Sequence, residues 1–361
     1  MTEFSIDENK LKGVLSRFGF ESLRKGQDQA VFSLLDGNDT ICFLPTGGGK
    51  SAIFQTPTAY NEWKTLIFSP LISLMQDQVE SAWELGFEAA QISSSVSDTE
   101  NNRAMADWES GNLDLLFVAP ERLQVERFLQ CITNVVPNLL VVDEAHCISQ
   151  WAHNFRPDYA KIGYFTGMYN PDCILAITAT ATSEVEEDIR NVLGIPSANK
   201  IVYLPDRSNL VFEFREVKSD YPDERDILKE IQAIDGSVIV YCSTRANVEN
   251  LFNMIGNRVS GGALAYHGGM DSNIRTSNQN LFMSGHTRVM FATNAFGMGI
   301  DKPDIRGVIH RDLPDSLNSY VQETGRAGRD GKESICVAYG NKKSINTQLY
   351  FIEMSHPAES E

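Results

Sequence analysis

Cysteine is scarce and scattered. The 361 residues hold six thiols (Cys42, Cys131, Cys147, Cys173, Cys242 and Cys336), and no two of them form a C-x-x-C pair. Such usage argues against a disulfide framework and against a zinc site built on cysteine, and for a reducing interior. Several of the six lie in apolar runs, where small buried thiols are common. Long apolar runs are missing as well: none reaches the roughly 18 residues of a membrane helix. The N-terminal "MTEFSIDENK" is too polar and acidic for a secretory leader. Heptads and low-complexity tracts are absent. The expected setting is intracellular, the cytoplasm of a bacterial or phage-infected cell, with no membrane partner.

Positive charge is also in short supply. The formal net charge is −17, which excludes a globally basic surface for gripping nucleic acid. The deficit is uneven. Residues 1–206 carry 14 Lys and Arg against 28 Asp and Glu, whereas residues 207–361 carry 17 against 20. A polynucleotide would need a local groove.

What the chain does contain is alternation. At this length two domains can each bury a core. Short apolar runs alternate with helical stretches: Thr40–Leu44, Thr65–Ser69, Leu113–Ala119, Leu139–Val142 and Ile174–Thr178, then Ser237–Cys242, Ala263–Tyr266, Arg288–Thr293, Gly307–Arg311 and Ser334–Tyr339. Runs of this length suit strands covered on both faces, and the alternation predicts two parallel sheets of βαβ units. The expected organisation is an α/β domain over 1–206, a second over 207–340 and a short tail over 341–361. "YLPDRSNLVFEF", Tyr203 to Phe214, reads as the hinge. Nearly every polar cluster directly follows a strand, and ligands in open α/β sheets sit at that edge.

"LPTGGGKS", Leu44 to Ser51, stands between a strand and a helix. Thr46, Gly47, Gly48 and Gly49 would let backbone N–H groups converge on an anion. Lys50 would reach the β- and γ-phosphates, and Ser51 would ligate Mg²⁺. The strict phosphate-loop pattern has glycine where this chain has Leu44, so alone the stretch also reads as a flexible turn. "LLVVDEAH", Leu139 to His146, strengthens the nucleotide reading by delivering two carboxylates to the same edge. Asp143 suits the metal and Glu144 suits activation of water; the plainer reading is an acidic helix cap. In "YVQETGRAGRDG", Gln322, Arg326 and Arg329 fall at helical spacing, so one helical face would present all three. Guanidinium groups aimed across an interdomain cleft can neutralise a γ-phosphate. A surface ion-pair helix is the alternative.

The ordered set "FGFESLRKGQ", "PTGGGKS", "SPLISLMQDQV", "DEAHCISQW", "TATAT", "YCSTR", "YHGGM", "ATNAFGMGIDKPDIRGVIH" and "QETGRAGRDG" resembles the RecQ family of superfamily-2 DNA helicases over roughly residues 10–340. The resemblance implies two tandem RecA-like domains with ATP in the cleft between them. The family's loop itself lacks the outer glycine, which accounts for Leu44. Phe20, Arg24 and Gln27 match the motif that sandwiches adenine and reads its edge; from the residues alone Phe20 reads as core. Asp301 is implied at the ribose, with a turn aspartate as the alternative. Thr178 to Thr180 is implied to couple the domains.

The resemblance also implies an aromatic-rich loop, "CISQWAHNFRPDY", that senses single-stranded DNA through Gln150, Trp151, Phe155 and Arg156. This chain departs from the family at Ala152 and Asn154. Phosphate contacts are expected at Ser69, Arg122, Thr244, Arg245 and Thr293, where hydroxyl and loop N–H groups avoid the need for a basic surface. Relatives usually continue into zinc and winged-helix domains, whereas this chain has no cysteine after Cys336. The expectation is therefore a bare two-lobe motor without zinc. It would be monomeric and use ATP and Mg²⁺ to move 3′ to 5′ on single-stranded, forked or partial-duplex DNA, with a protein partner supplying the missing domains. Two alternatives stay open: a DNA-stimulated translocase that unwinds weakly for lack of a wedge, and an RNA-dependent remodelling ATPase.

Overall fold

The computed structural model describes residues 6–349, apart from 45–47, 71, 150–155, 180–181, 204–206, 220–221, 298–301, 341–342 and 344. The chain divides into two compact units, Met1–Pro205 and Asp206–Glu361.

The first unit is built on seven strands: β1 Thr40–Phe43, β2 Thr65–Phe68, β3 Ala89–Ile92, β4 Leu115–Val118, β5 Leu139–Val142, β6 Cys173–Thr178 and β7 Asn199–Val202. They lie in the order β3-β4-β2-β5-β6-β1-β7, and every pairing is parallel. The period of two sends alternate side chains to opposite faces. Ile41, Phe43, Leu66, Phe68, Leu140 and Val142 enter one core. Cys42, Leu44, Ile67, Leu139, Val141 and Leu175 enter the other. Both faces are covered, which is why these strands read as unbroken apolar runs. Each fully buried Leu, Ile, Val or Phe contributes about 1.5–3 kcal/mol.

The second unit has six strands: β8 Leu210–Glu216, β9 Ser237–Tyr241, β10 Ala263–Tyr266, β11 Val289–Ala292, β12 Ile305–His310 and β13 Ser334–Gly340. Their order is β10-β11-β9-β12-β13-β8, again parallel throughout. All ten expected strands are present. Three more were not anticipated, β3, β7 and β8, and all three are edge strands. β7 is almost wholly exposed, so its sequence lacks the apolar run that marks a covered strand. β8 corrects the reading of Tyr203–Phe214 as a hinge throughout: from Leu210 onward the segment pairs with β13 over seven residues. Among the described residues no helix is long and apolar enough to cross a membrane.

Candidate active site and nucleic-acid cleft

In the first unit the phosphate loop leads into the helix Lys50–Asn61, whose cap Gly49 is left-handed at φ 70°. That conformation suits glycine, and crowding demands it as well: a Cβ on Gly49 would lie 2.5 Å from Gln27 Nε2. The Gln27 amide donates to the carbonyls of Gly48 at 2.9 Å and Gly49 at 3.1 Å, and its Oε1 accepts the Arg24 N–H at 2.9 Å. Gln27 is only 5% exposed, so a buried amide holds the loop and the adenine-motif arginine together. Phe20 is exposed on one side and meets Phe18 edge-on at 6.2 Å. It is available to stack, rather than being the core residue that the plainer reading expected.

Asp143 and Glu144 follow β5 directly. Glu144 takes a left-handed backbone, φ 48°, an uncommon state for a non-glycine residue and frequent at functional sites. Its Oε1 lies 3.4 Å from Lys50 Nζ. Its Oε2 lies 3.3 Å from His146 Nδ1, but that nitrogen hydrogen-bonds Thr178 Oγ1 at 2.8 Å, and Oε2 is left buried without a hydrogen-bond partner. Burial opposes ionisation of Glu144, yet Lys50 and His146 outweigh it and hold its carboxyl below the usual range. Burial first, and then the Glu144 charge, push Asp143 up. Tyr159, fully buried, donates its hydroxyl to the Asp143 carbonyl at 3.0 Å; sequence reading placed it only among loop aromatics.

An ionised acid beside an ammonium, with a second buried carboxyl next to it, fits a Mg–nucleotide. Among the described residues no group of three or more His, Cys, Asp or Glu could hold a metal alone. Mg²⁺ sites often need only one or two carboxylates, the rest of the shell being phosphate and water. Ser51 and Asp143 are the side chains that would serve.

The second unit carries the arginines, in a different arrangement from the one expected. The helix Leu317–Thr324 stops at Gly325, so Arg326 and Arg329 do not share a helical face with Gln322. They sit on a turn in which Gly328 is left-handed, φ 55°. The turn is held from outside. Gly328 N–H donates to Ile305 O at 2.8 Å, and Asn209 Nδ2 donates to Gly328 O at 2.9 Å. Arg207 donates to the carbonyls of Gly325, Ala327 and Gly328. Arg207 and Asn209 had been read as part of a hinge, and nothing in the local pattern marks them as supports. Arg326 is 4% exposed, and its Nε and Nη1 have no hydrogen-bond partner among the described residues.

Of the residues expected to meet nucleic acid, Thr244, Arg245 and Thr293 line one open cleft of about 490 Å³ with Ser243, Gly268 and Asn294. Thr244 caps the helix Arg245–Ile255. Asp312 supports the cleft from beneath, accepting Ser243 N–H at 3.0 Å and Asn247 Nδ2 at 3.1 Å. In the first unit Arg156 Nη1 donates to Pro70 O at 2.7 Å. Ser69 is fully buried after β2, and Arg122, partly buried, donates to the Ser93 carbonyl. Thr46, Gly47, Gln150, Trp151, Phe155 and Asp301, together with Ala152, Asn154 and Thr180, lie outside the described residues.

Residues 24–188 match the DEAD/DEAH box helicase family, and 223–331 the helicase conserved C-terminal domain. The chain is 40% identical over 348 residues to the ATP-dependent DNA helicase RecQ of Bacillus subtilis (strain 168), covering 95% of this chain and 58% of that protein. It is 39% identical over 338 residues to the probable ATP-dependent DNA helicase RecS of the same organism, covering 93% and 68%. A structure of Mycobacterium smegmatis helicase Lhr bound to single-stranded DNA and AMP-PNP shares the fold, with TM-score 0.72 at 18% identity, covering 98% of this chain and 50% of that one. The chain thus spans little more than half of the Bacillus subtilis RecQ protein. The two family matches run through the loops that carry Lys50, Glu144 and Arg326, and the identity to RecQ-named proteins extends over nearly the whole sequence. The chain belongs to the RecQ family of superfamily-2 DNA helicases.

Proposed function

We propose that the chain is an ATP-driven DNA motor that hydrolyses Mg-ATP and moves 3′ to 5′ along single-stranded DNA, opening forked or partial duplexes. It acts as a monomer inside the cell. The observation that carries this reading is the Lys50–Glu144 contact at 3.4 Å, with Asp143 beside it.

Phe20 stacks on adenine while Gln27 and Arg24 read its edge. Gly48 and Gly49 receive the phosphates with Thr46 and Gly47, Lys50 moves onto the terminal phosphates, and Asp301 meets the ribose. With Lys50 on the phosphates, His146 still favours the ionised form of Glu144, and Glu144 takes the proton of the attacking water. Ser51 and Asp143 would hold Mg²⁺, which would supply neutralisation of phosphate charge. Arg326 and Arg329 neutralise the charge that develops on the transferred group, and the Gln322 amide donates a hydrogen bond to it. Thr244, Arg245 and Thr293, with Arg156, Gln150, Trp151 and Phe155, hold the DNA strand. Changes in that grip through each ATP cycle move the strand.

The test is ATP turnover with and without single-stranded DNA, beside strand separation on a forked duplex. Hydrolysis that DNA stimulates and that Lys50→Ala abolishes supports the reading. Stimulation by RNA in place of DNA, or near-wild-type turnover in Lys50→Ala, overturns it. ATPase activity without strand separation narrows the function to translocation.

A further inference from the structure

We propose that Tyr241, with the space left by the missing side chain at Gly297, forms a cradle that sets the guanidinium of Arg326 in place before nucleotide arrives. Tyr241 is then a positioning residue. This rests on the assignment of Arg326 to charge neutralisation in the reading above.

A guanidinium that is 4% exposed, with two nitrogens lacking acceptors, is costly to bury. Something must hold it there in the absence of an anion. Tyr241 ends β9 and is 3% exposed. Its hydroxyl donates to the Phe296 carbonyl at 2.8 Å, which commits the only phenolic proton and leaves the oxygen lone pairs for cations. Arg326 and Arg329 both lie close enough to draw the phenol's ionisation down, against the larger upward push of burial. The ring cannot swing away. It stacks on His310, with centroids 5.4 Å apart and planes 23° apart. His310 Nε2 lies 2.7 Å from Glu323 Oε2, and Tyr320 closes the far side of the imidazole at 5.1 Å. The Glu323 carbonyl accepts the Arg326 N–H at 3.3 Å. The strand that holds the phenol and the turn that holds the arginine are therefore joined through one buried stack.

Gly297 makes the room. Its backbone is not left-handed, so it is close approach rather than φ that favours glycine there. A Cβ at that position would lie 3.1 Å from Arg326 Nη2 and 2.8 Å from the Asn294 carbonyl. A methyl group there would therefore press the loop away from the Asn294 carbonyl and crowd the arginine as well. A donor placed in advance costs no reorganisation when charge develops, whereas a displaced one loses that advantage.

The experiment is steady-state ATPase on the full chain with saturating single-stranded DNA. Tyr241→Phe keeps the ring and the stack, and Gly297→Ala adds one methyl group. Each is expected to lower kcat about tenfold while KM for ATP moves less than about twofold, the signature of an interaction used in the transition state. In an Arg326→Lys background Tyr241→Phe should add less than about a twofold loss, because the group it positions is already altered. Wild-type kcat in both single variants, fully multiplicative losses in the double variant, or a raised KM with kcat intact each overturns the cradle. Should Arg326→Ala itself keep wild-type turnover, the reading of the arginine falls instead, so the two failures are distinguishable.

Discussion

His146 Nδ1 stands 2.8 Å from Thr178 Oγ1, so the turn after β5 is tied to the end of β6. The same nitrogen is 3.3 Å from Glu144 Oε2. One imidazole thus sits between Glu144, proposed to activate water, and the segment that the family resemblance assigns to domain coupling. Thr178→Val removes the hydroxyl while keeping the branched shape. DNA-stimulated turnover should fall about tenfold with nucleotide affinity kept, since the lost hydrogen bond is internal to the protein. Turnover against DNA concentration checks this.

Glu144→Gln keeps the size of the side chain and removes the base. Loss of a positioned general base costs about 10²–10⁴-fold, and relief of the ion pair to Lys50 leaves that ammonium available to phosphate. Turnover should drop by at least about 100-fold while binding of a fluorescent ATP analogue is retained or tightened. A stopped assay and a titration on the same preparation decide it.

Gln27 donates to two loop carbonyls from a buried position. Gln27→Ala leaves both carbonyls without that donor, at a cost of about 1–2 kcal/mol. KM for ATP should rise about tenfold, and GTP should be discriminated less well. Competition between the two nucleotides reads both effects.

Asp312 is 4% exposed and pairs with Arg311 at 3.1 Å while accepting from Ser243 and Asn247. Asp312→Asn weakens all of these contacts and loosens the loop that presents Thr244 and Arg245. Affinity for single-stranded DNA should fall about tenfold with DNA-independent ATPase unchanged, and some stability should be lost because the Arg311 charge stays buried. Fluorescence anisotropy at fixed salt is the measurement.

Asp39 lies beneath the first sheet, where burial raises its pKa against the Ile174 N–H that its Oδ1 accepts at 2.8 Å. A folded-state pKa above the unfolded one means that this group's contribution is best below the unfolded value and is lost as pH rises through the folded value. Asp39→Asn keeps an acceptor and discards the charge. Tm should therefore rise by about 1–2 °C at pH 7, and the gain should vanish below the ordinary carboxylate range. Melting curves across pH 3–8 test the sign.

Ten strands and the two-sheet class were legible because covered parallel strands must be apolar on both faces, as in "LLVV" at Leu139–Val142. The three unexpected strands lie at edges, where one partner and partial solvation impose no such pattern. The phosphate loop and the acid pair were legible for a related reason: each directly follows an apolar strand, so local order alone puts it at the sheet edge where ligands sit.

The arginine turn shows the limit. Helical spacing in "QETGRAGR" put Gln322, Arg326 and Arg329 on one face, yet two glycines end the helix and Arg207, more than a hundred residues earlier, holds the turn that replaces it. Sequence alone determined which chemical groups this protein carries and at which sheet edge they emerge, because these follow from local order and hydrophobic period. Only the tertiary structure decided which of them face one another: Lys50 with Glu144, His146 with Thr178, and Tyr241 with His310. Such contacts depend on side chains brought together from distant parts of the chain, and no local pattern encodes that distance.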